Sequence, residues 1–289
     1  MVKYKLVKVK KEEIIMAKLF DSHTHINNED YTPEEREVLI KEIEASDVEY
    51  VMDVGCDLPT SRMAVEHSNR LPWCYGAVGI HPHDAKNMTQ ETLDEIRSMA
   101  GEKKIMAIGE IGLDYHYDFS PREEQRECFR QQIRLANELK MPIIIHTREA
   151  DGETVDILKE EGAFSDLRKS WFPPKPDGTP DARVLLHCYS GSKELAEEYV
   201  KMGATISIAG PLTYKNNKKT PKVVEAISID NLLVETDAPY LTPEPFRGKP
   251  NKSPYVEHTA RRMALIKGLA YEEVARITME NAKRFFGIV

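Results

Sequence analysis

Cysteine is scarce in this sequence, and long apolar runs are absent. The 289 residues contain four cysteines and no CxxC pair, which argues against a disulfide framework and against a structural zinc site built from thiolates. No stretch approaches the roughly 18 apolar residues that a membrane span needs, and the lysine-rich start lacks the apolar segment of a secretory signal. We therefore expect a cytoplasmic protein that does not bind membranes. The thiols, expected to be reduced, are Cys56, Cys74, Cys128 and Cys188.

An excess of positive charge is also missing. The formal net charge is -8 at pH 7. This argues against a protein that coats long duplexes, because such binding neutralises many phosphates through a broad basic face. A nucleic-acid substrate remains compatible with this charge, since divalent cations bound to acidic side chains would reverse the sign of the local field.

Short apolar segments rich in β-branched residues alternate with helical segments along most of the chain. This order is typical of βα units and a parallel sheet. About eight such segments occur, the number that closes a TIM-type (β/α)8 barrel, and most are continuous apolar runs, as strands buried on both faces should be. We predict an α/β fold with a single barrel domain over residues 17–289. The strands are expected near residues 18–25, 50–56, 74–81, 105–110, 142–146, 183–188, 205–210 and 232–237.

Two helices carry strong start signals. Residues 32–35 (Thr-Pro-Glu-Glu) and 120–123 (Ser-Pro-Arg-Glu) each offer a hydroxyl for the N-cap, proline for the first helical position and glutamate for the third. Both segments are predicted to form capping boxes. The second helix then shows an apolar stripe at helical spacing, which we interpret as its face against the barrel wall. The stripe consists of Phe129, Ile133, Ala136 and Leu139.

Two stretches depart from the repeating pattern. Residues 1–16 form an N-terminal extension with alternating apolar and lysine residues, which fits an extra strand and equally fits a start of translation at Met16. Residues 162–181 form a long loop between strands five and six and are rich in proline. This loop fits a lid over the barrel as well as an ordinary surface loop.

The pair His23 and His25 ends the first predicted strand. Alternate residues of a strand point to the same side, so the two imidazoles are expected to lie together. The spacing is typical of a metal site, although two hydrogen-bonded histidines at a strand end would show it as well. Further ligands have to come from the rest of the chain.

Polar residues also follow the apolar runs of four other predicted strands. The C-terminal ends of barrel strands meet at one mouth, where barrel enzymes assemble their active sites. Without a bound cation, four histidines and two carboxylates gathered there would form a cluster of poorly compensated polar groups. Imidazole and carboxylate together suit divalent metals. Six ligands exceed the needs of one tetrahedral zinc, which favours two metals that share a bridging carboxylate. The four residues are Glu110, His146, His187 and Asp237, in strands four, five, six and eight.

Six motifs from Leu19 onward give the chain a more specific likeness. They are FDSHTH at residues 20–25, GIHPH at 79–83, GEIGLDY at 109–115, IHTREA at 145–150, HCYSG at 187–191 and ETDAP at 235–239. Together they resemble the TatD family of metal-dependent deoxyribonucleases, within the amidohydrolase-like barrels. The resemblance implies two divalent metals, zinc, manganese or magnesium. One metal is implied for His23, His25 and Asp237 and the other for His146 and His187, with Glu110 as the bridge.

On this basis we predict a deoxyribonuclease that cleaves phosphodiester bonds with a metal-activated water. Asp237 and Glu110 are the predicted catalytic residues, with Asp237 as the general base. DNA, as single strands or strand ends, is the expected substrate, and no obligate protein partner is predicted. The alternatives are an ester or amide hydrolase, such as an aminoacyl-RNA deacylase, and a barrel that binds without catalysis. The six intact ligand positions argue against the last.

Four further residues are candidates for substrate contacts. His81, at the end of strand three, would touch a substrate phosphate or be an ordinary loop histidine. Arg148 and Arg247 are candidates for a phosphate clamp, because guanidinium binds phosphate through two hydrogen bonds. Tyr115 would stack on a base or pack beneath its loop. The lysine-rich run 214–219 follows strand seven and should face the same mouth.

Overall fold

Residues 17–288 are described by a computed structural model. Eight strands form one sheet in chain order, and every neighbouring pair is parallel. The predicted (β/α)8 barrel is thereby confirmed. The N-terminal extension, with its two alternatives, lies outside the described residues. The strands are β1 (Leu19–Thr24), β2 (Val48–Val54), β3 (Cys74–Val78), β4 (Ile105–Asp114), β5 (Ile143–Arg148), β6 (Val184–Leu186), β7 (Thr205–Ile208) and β8 (Leu232–Val234).

Helices surround the sheet. Among residues 17–288, no helix combines the length and apolar character that crossing a bilayer would demand. Short 3-10 helices occur at Pro82–Asn87, Gly210–Thr213, Ile229–Asn231 and Ser253–Tyr255. The α-helices are α1 (Pro33–Glu44), α2 (Leu58–Arg70), α3 (Gln90–Ala100), α4 (Arg122–Leu139), α5 (Asp151–Glu160), α6 (Asp166–Lys169), α7 (Lys193–Met202), α8 (Thr220–Ala226), α9 (Val256–Lys267) and α10 (Tyr271–Phe286).

One of the two predicted capping boxes forms. At the start of α1, the Thr32 hydroxyl accepts from the Glu35 amide at 3.2 Å and the Glu35 carboxylate accepts from the Thr32 amide at 2.9 Å. The box predicted for α4 is wrong, because Ser120 is engaged elsewhere. Its hydroxyl donates to the His83 carbonyl at 2.7 Å and accepts from the Lys86 amide at 3.1 Å, so it joins two loops at the mouth.

The barrel closes between β1 and the segment after β8. Thr24 pairs with Ala238 in a parallel bridge. The Asp237 amide donates to the His23 carbonyl, and the His25 amide donates to the Ala238 carbonyl, both at 2.9 Å. Closure therefore sets Asp237 directly beside the paired histidines.

Two apolar layers hold the barrel together. The inner layer fills the barrel below the mouth and continues into α10, where Phe286 stacks on Phe20 with ring centroids 5.9 Å apart. The outer layer lies between strands and helices. It includes Phe129, Ile133 and Ala136 of the predicted stripe on α4, all fully buried. A filled interior restricts access for a substrate to the mouth.

The strands β4 and β5 extend past their predicted ends. β4 continues to Asp114 and β5 to Arg148, so Glu110 and His146 lie within strands rather than at their ends. In β4 the side chains after Glu110 still alternate between the two faces of the sheet, and Ile111 is fully buried in the barrel wall. The strand therefore continues past Glu110.

The proline-rich loop 162–181 lies at the end of the barrel opposite the mouth. The Lys175 ammonium donates to the carbonyl of Ala204, directly before β7, at 2.5 Å and to Asn231, directly before β8, at 2.6 Å. Arg168 donates to the carbonyl of Ala182, shortly before β6, at 2.8 Å. The strands begin at this end, so the lid interpretation is wrong and the loop forms part of the barrel floor.

Arg168 is expected to stabilise this floor strongly. It is fully buried and also donates to Asn137 at 2.7 Å and to the Met141 carbonyl at 2.8 Å. Arg168→Ala should lower the free energy of unfolding by about 3 kcal/mol, because it leaves several buried acceptors unpaired. Chemical denaturation measures this change. Leu167→Ala, at a neighbouring side chain that is 67% exposed, is the control, and equal stability of the two variants would contradict the expectation.

Candidate metal centre

The six predicted ligands lie together at the mouth of the barrel. Two come from β1 and the residue after it, one each from β4 and β5, and one each from the segments after β6 and β8. Four are buried, and the other two are partly buried. The structure therefore brings together every residue of the predicted set, in an opening at the C-terminal strand ends. They are His23, His25, Glu110, His146, His187 and Asp237.

Glu110 lies at the middle of this cluster. Its Oε1 is 2.8 Å from His146 Nδ1 and 2.6 Å from His187 Nε2. Its Oε2 is 3.4 Å from His23 Nε2 and 3.9 Å from His25 Nε2. The two oxygens of one carboxylate thus face two different pairs of imidazoles.

Asp237 lies on the side of the histidine pair. Its Oδ1 is 3.4 Å from His25 Nε2 and 3.8 Å from His23 Nε2, and the two Nε2 atoms are 3.2 Å apart. His25 Nδ1 lies 2.8 Å from the Val54 carbonyl, which leaves Nε2 for the centre. Asp237 has a φ of 57°, a left-handed conformation that non-glycine residues seldom adopt and that concentrates at functional sites.

Glu235 is a buried site residue that the sequence reasoning missed. Its Oε1 lies 3.6 Å from His187 Nδ1 and accepts from the Cys188 amide at 2.5 Å. The Ser207 hydroxyl donates to its other oxygen. These two hydrogen bonds hold Glu235 with its Oε1 toward the Nδ1 of His187, whose Nε2 faces Glu110. The signal available in the sequence was a carboxylate directly after the apolar run of β8.

Asp114 is the second residue that was missed. Its Oδ2 lies 3.1 Å from His146 Nε2 and 3.1 Å from His83 Nε2. Its Oδ1 accepts from the amides of His116 and Tyr117, both at 3.0 Å. Asp114 therefore orients His146 and holds the loop after β4. Its even spacing from Glu110 would have placed both carboxylates on one face of the strand.

The charges at the centre favour an ionised Glu110. Burial alone would raise the pKa of Glu110, but the imidazoles of His187, His81 and His146 hold it well below its usual range. Burial opposes charge on His187 too, yet the carboxylates of Glu110 and Glu235 raise its pKa well above the ordinary value. Glu110 is consequently a carboxylate at neutral pH, the form that binds cations.

The donor set fits divalent metal. Three overlapping groups have their ligand atoms within 4.8 Å of one another, and imidazole nitrogen with carboxylate oxygen suits several divalent ions. In two of the histidines, His25 and His146, the nitrogen that faces away from the centre lies within hydrogen-bond distance of a carbonyl or carboxylate, an arrangement typical of metal-bound histidine. The cluster can therefore hold metal. The groups are His23 with His25 and Glu110, His81 with Glu110 and His146, and His23 with His187 and Glu235.

His81 lies against the cluster. Its Nε2 is 3.6 Å from Glu110 Oε1, and its ring centroid is 4.5 Å from that of His146. Its Nδ1 accepts from the His83 amide at 3.1 Å, so Nε2 faces the centre. This position suits contact with a bound phosphate and also suits an additional metal ligand.

The two predicted arginines are exposed at the mouth, Arg148 as the last residue of β5 and Arg247 in the segment after β8. The Arg148 guanidinium lies 4.7 Å from the ring centroid of Tyr117, and that of Arg247 lies 4.3 Å from the ring centroid of Tyr214. The run 214–219 follows β7, and four of its residues are exposed. These cations surround the opening without touching the cluster.

Tyr115 is turned away from the cluster. Its hydroxyl donates to Glu153 of α5, and the Arg122 guanidinium lies 4.2 Å from its ring centroid. The ring is partly buried against the outer core. The packing interpretation therefore fits Tyr115, and the base-stacking one does not.

Known proteins resemble this chain over nearly its whole length. The family described as TatD related DNase matches residues 20–287. A Bacillus subtilis protein named uncharacterized metal-dependent hydrolase YabD is 46% identical over 270 residues, which cover 93% of this chain and 99% of that protein. The 3'-5' ssDNA/RNA exonuclease TatD of Salmonella typhimurium is 29% identical, with 94% and 100% covered. The crystal structure of YJJV, a TatD homologue from Escherichia coli, has a TM-score of 0.82 at 23% identity and covers 95% of this chain and 100% of its own.

Fold, ligand cluster and relatives agree on the class of protein, a barrel hydrolase that depends on metal. The chain belongs to the TatD-related DNase family. The resemblance that the six motifs carried is thereby confirmed.

Proposed function

We propose that the protein hydrolyses phosphodiester bonds of single-stranded DNA, starting at a strand end, with two divalent cations at the mouth of the barrel. The observation that carries this proposal is the carboxylate of Glu110, whose oxygens face two different histidine pairs. Relatives from Salmonella typhimurium and Citrobacter koseri, 29% and 30% identical, are named 3'-5' ssDNA/RNA exonuclease TatD. Their names support the substrate class and a direction from the 3' end.

The ligands divide into two sets. When bound, divalent cations lower the pKa of water and offset negative charge on phosphate oxygens. Glu110 would be shared by both sets, because it alone approaches both with separate oxygens. The first set is His23, His25 and Asp237, and the second is His146 and His187.

Exposure distinguishes the roles of the two carboxylates. The Asp237 side chain is 14% exposed and that of Glu110 is 4% exposed, so solvent reaches Asp237 more readily. A general base has to touch the water that it deprotonates. Asp237 would accept this proton, while Glu110 holds the imidazoles in place. Burial would raise the pKa of Asp237, but the hydrogen bond to His25 and the nearby imidazoles lower it, so the side chain is a carboxylate at neutral pH.

The cations around the mouth favour an anionic substrate. Arg148 ends β5, Arg247 lies beyond β8, and exposed Lys215, Lys218 and Lys219 lie beyond β7. Their charges attract a phosphate backbone toward the cluster. A neutral amide would gain nothing from them, so a phosphodiester fits the mouth better than the amide alternative.

A substrate panel tests the proposal. Metal-free protein would be incubated with zinc, manganese or magnesium in turn, against end-labelled single-stranded DNA, duplex DNA, RNA and an aminoacyl-RNA ester. We expect at least one cation to restore a ladder of single-stranded DNA products that shorten from the 3' end, and chelator to abolish it. Cleavage of the ester alone would instead identify a deacylase. No cleavage of any substrate by metal-loaded protein would point to a binding barrel.

A further inference from the structure

Exposed aromatic side chains concentrate at the mouth of the barrel. Among residues 17–288, three aromatic side chains are exposed: Tyr117, Phe119 and Tyr240. The first two lie in the loop after β4 and the third in the segment after β8. Every one of them is therefore at the end where the ligand cluster opens. Exposed aromatic rings are not stabilised by burial in the core. Their common position at the mouth suits a ligand with flat apolar faces.

Tyr117 and Phe119 form a ready-made surface, which we call the aromatic shelf. Their rings stack with centroids 5.1 Å apart and planes 19° apart, and the residues are 47% and 57% exposed. The Arg148 guanidinium lies 4.7 Å from the centroid of Tyr117. Two stacked rings, with a cation over that of Tyr117, therefore form one continuous surface at the mouth.

The loop that carries the shelf is fixed to the ligand cluster. The Tyr117 amide donates to Asp114, which also contacts His146. The Lys86 ammonium donates to the Phe119 carbonyl at 3.1 Å. Because these contacts preorganise the loop, a ligand that stacks on the shelf has little ordering entropy to overcome.

One imidazole bridges the shelf and the cluster. The ring centroid of His83 lies 5.5 Å from that of Tyr117, 4.8 Å from that of Phe119 and 6.4 Å from that of His146. His83 is itself held by Asp114. The shelf is thus the width of one side chain from a predicted metal ligand, a separation that a single nucleotide can span.

We propose that the aromatic shelf stacks a base of the substrate strand close to the scissile phosphate, and that Arg148 contacts the backbone phosphate beside that base. This inference rests on the proposed function and adds a subsite to it. Every base has a π face, so stacking on aromatic rings tolerates all sequences. A base inside a duplex is covered by a neighbour on each face and only the terminal pair has a free face, so the shelf favours single strands.

Binding of a fluorescent oligonucleotide tests the shelf without any hydrolysis. The probe is single-stranded DNA with 2-aminopurine near its 3' end, titrated with protein in chelator. We expect quenching by the wild-type protein and by Tyr117→Phe, and about tenfold weaker binding by the double variant Tyr117→Ala/Phe119→Ala, equal to about 1.4 kcal/mol. Because both side chains are exposed, thermal unfolding of the double variant should match the wild type.

Two controls separate base stacking from other effects. Leu241→Ala changes an exposed apolar side chain after β8 and should bind the probe as the wild type does. An oligonucleotide with abasic residues near its 3' end should bind the wild type and the double variant equally. Equal binding of the 2-aminopurine probe to both proteins, or an equal loss for the abasic strand, would overturn the proposal.

The same variants distinguish this inference from the proposed function. If the wild type quenches the probe and the double variant does not, while neither protein cleaves DNA with any cation, the shelf stands and the nuclease proposal fails. If the wild type cleaves DNA and the double variant has an unchanged KM, the shelf fails and the nuclease proposal stands. A protein partner as the natural occupant of the shelf would give this second result.

Discussion

Glu110→Gln is expected to reduce the rate of hydrolysis by about a thousandfold or more and to lower the metal content of the purified protein. The amide keeps the size of the side chain but removes its negative charge, and only one of its two positions still has an acceptor oxygen. Since Oε1 faces His146 and His187 while Oε2 faces His23, both halves of the cluster lose a ligand or a charge. Rate assays and elemental analysis of the same samples measure the two effects.

Glu149→Gln is the matched control for this variant. Glu149 follows β5 at the same mouth, its side chain is 64% exposed, and it contacts His116 rather than the cluster. The same chemical change there should leave rate and metal content near the wild-type values. A fully metallated and active Glu110→Gln protein would show that the Glu110 carboxylate is needed neither for metal binding nor for hydrolysis.

Asp237→Asn is expected to give a different combination of effects. Removal of a general base lowers turnover by roughly 10²–10⁴-fold, and an amide cannot take the proton from water. The imidazoles of His23 and His25 and the shared Glu110 remain in place, so most of the metal should stay bound. Turnover is measured with saturating cation on samples of known metal content.

An exposed aspartate at the same mouth serves as the control for that experiment. Asp30 lies in the loop after β1 and is exposed, so Asp30→Asn should hydrolyse DNA at the wild-type rate. Undiminished turnover of metal-loaded Asp237→Asn would show that another group accepts the proton. A protein without metal would assign Asp237 the role of a ligand alone.

The barrel could be predicted from the sequence because its strands are buried on both faces. Continuous apolar runs such as Ile143 to Ile145 mark such strands without reference to their neighbours. The ends of the strands were less predictable, since β4 and β5 extend past Glu110 and His146. The lid interpretation of loop 162–181 failed because proline content does not show to which end of the barrel Arg168 and Lys175 bind.

The ligands could be predicted from local sequence signals in the same way, but the residues that orient them could not. Glu110, His146 and His187 directly follow apolar runs, so their position at the mouth comes with the strand. Asp114 and Glu235 act through imidazoles of neighbouring strands, and that pairing depends on register. The Ser120 hydroxyl likewise prefers the His83 carbonyl over its own helix, a tertiary contact that overrides a local capping signal.

Anomalous diffraction from crystals soaked in manganese or zinc tests directly whether Glu110 lies between two cations, as we propose. We expect two anomalous peaks, one beside His23, His25 and Asp237 and one beside His146 and His187, with a Glu110 oxygen next to each. A single peak, or two peaks of which neither adjoins Glu110, would contradict this expectation.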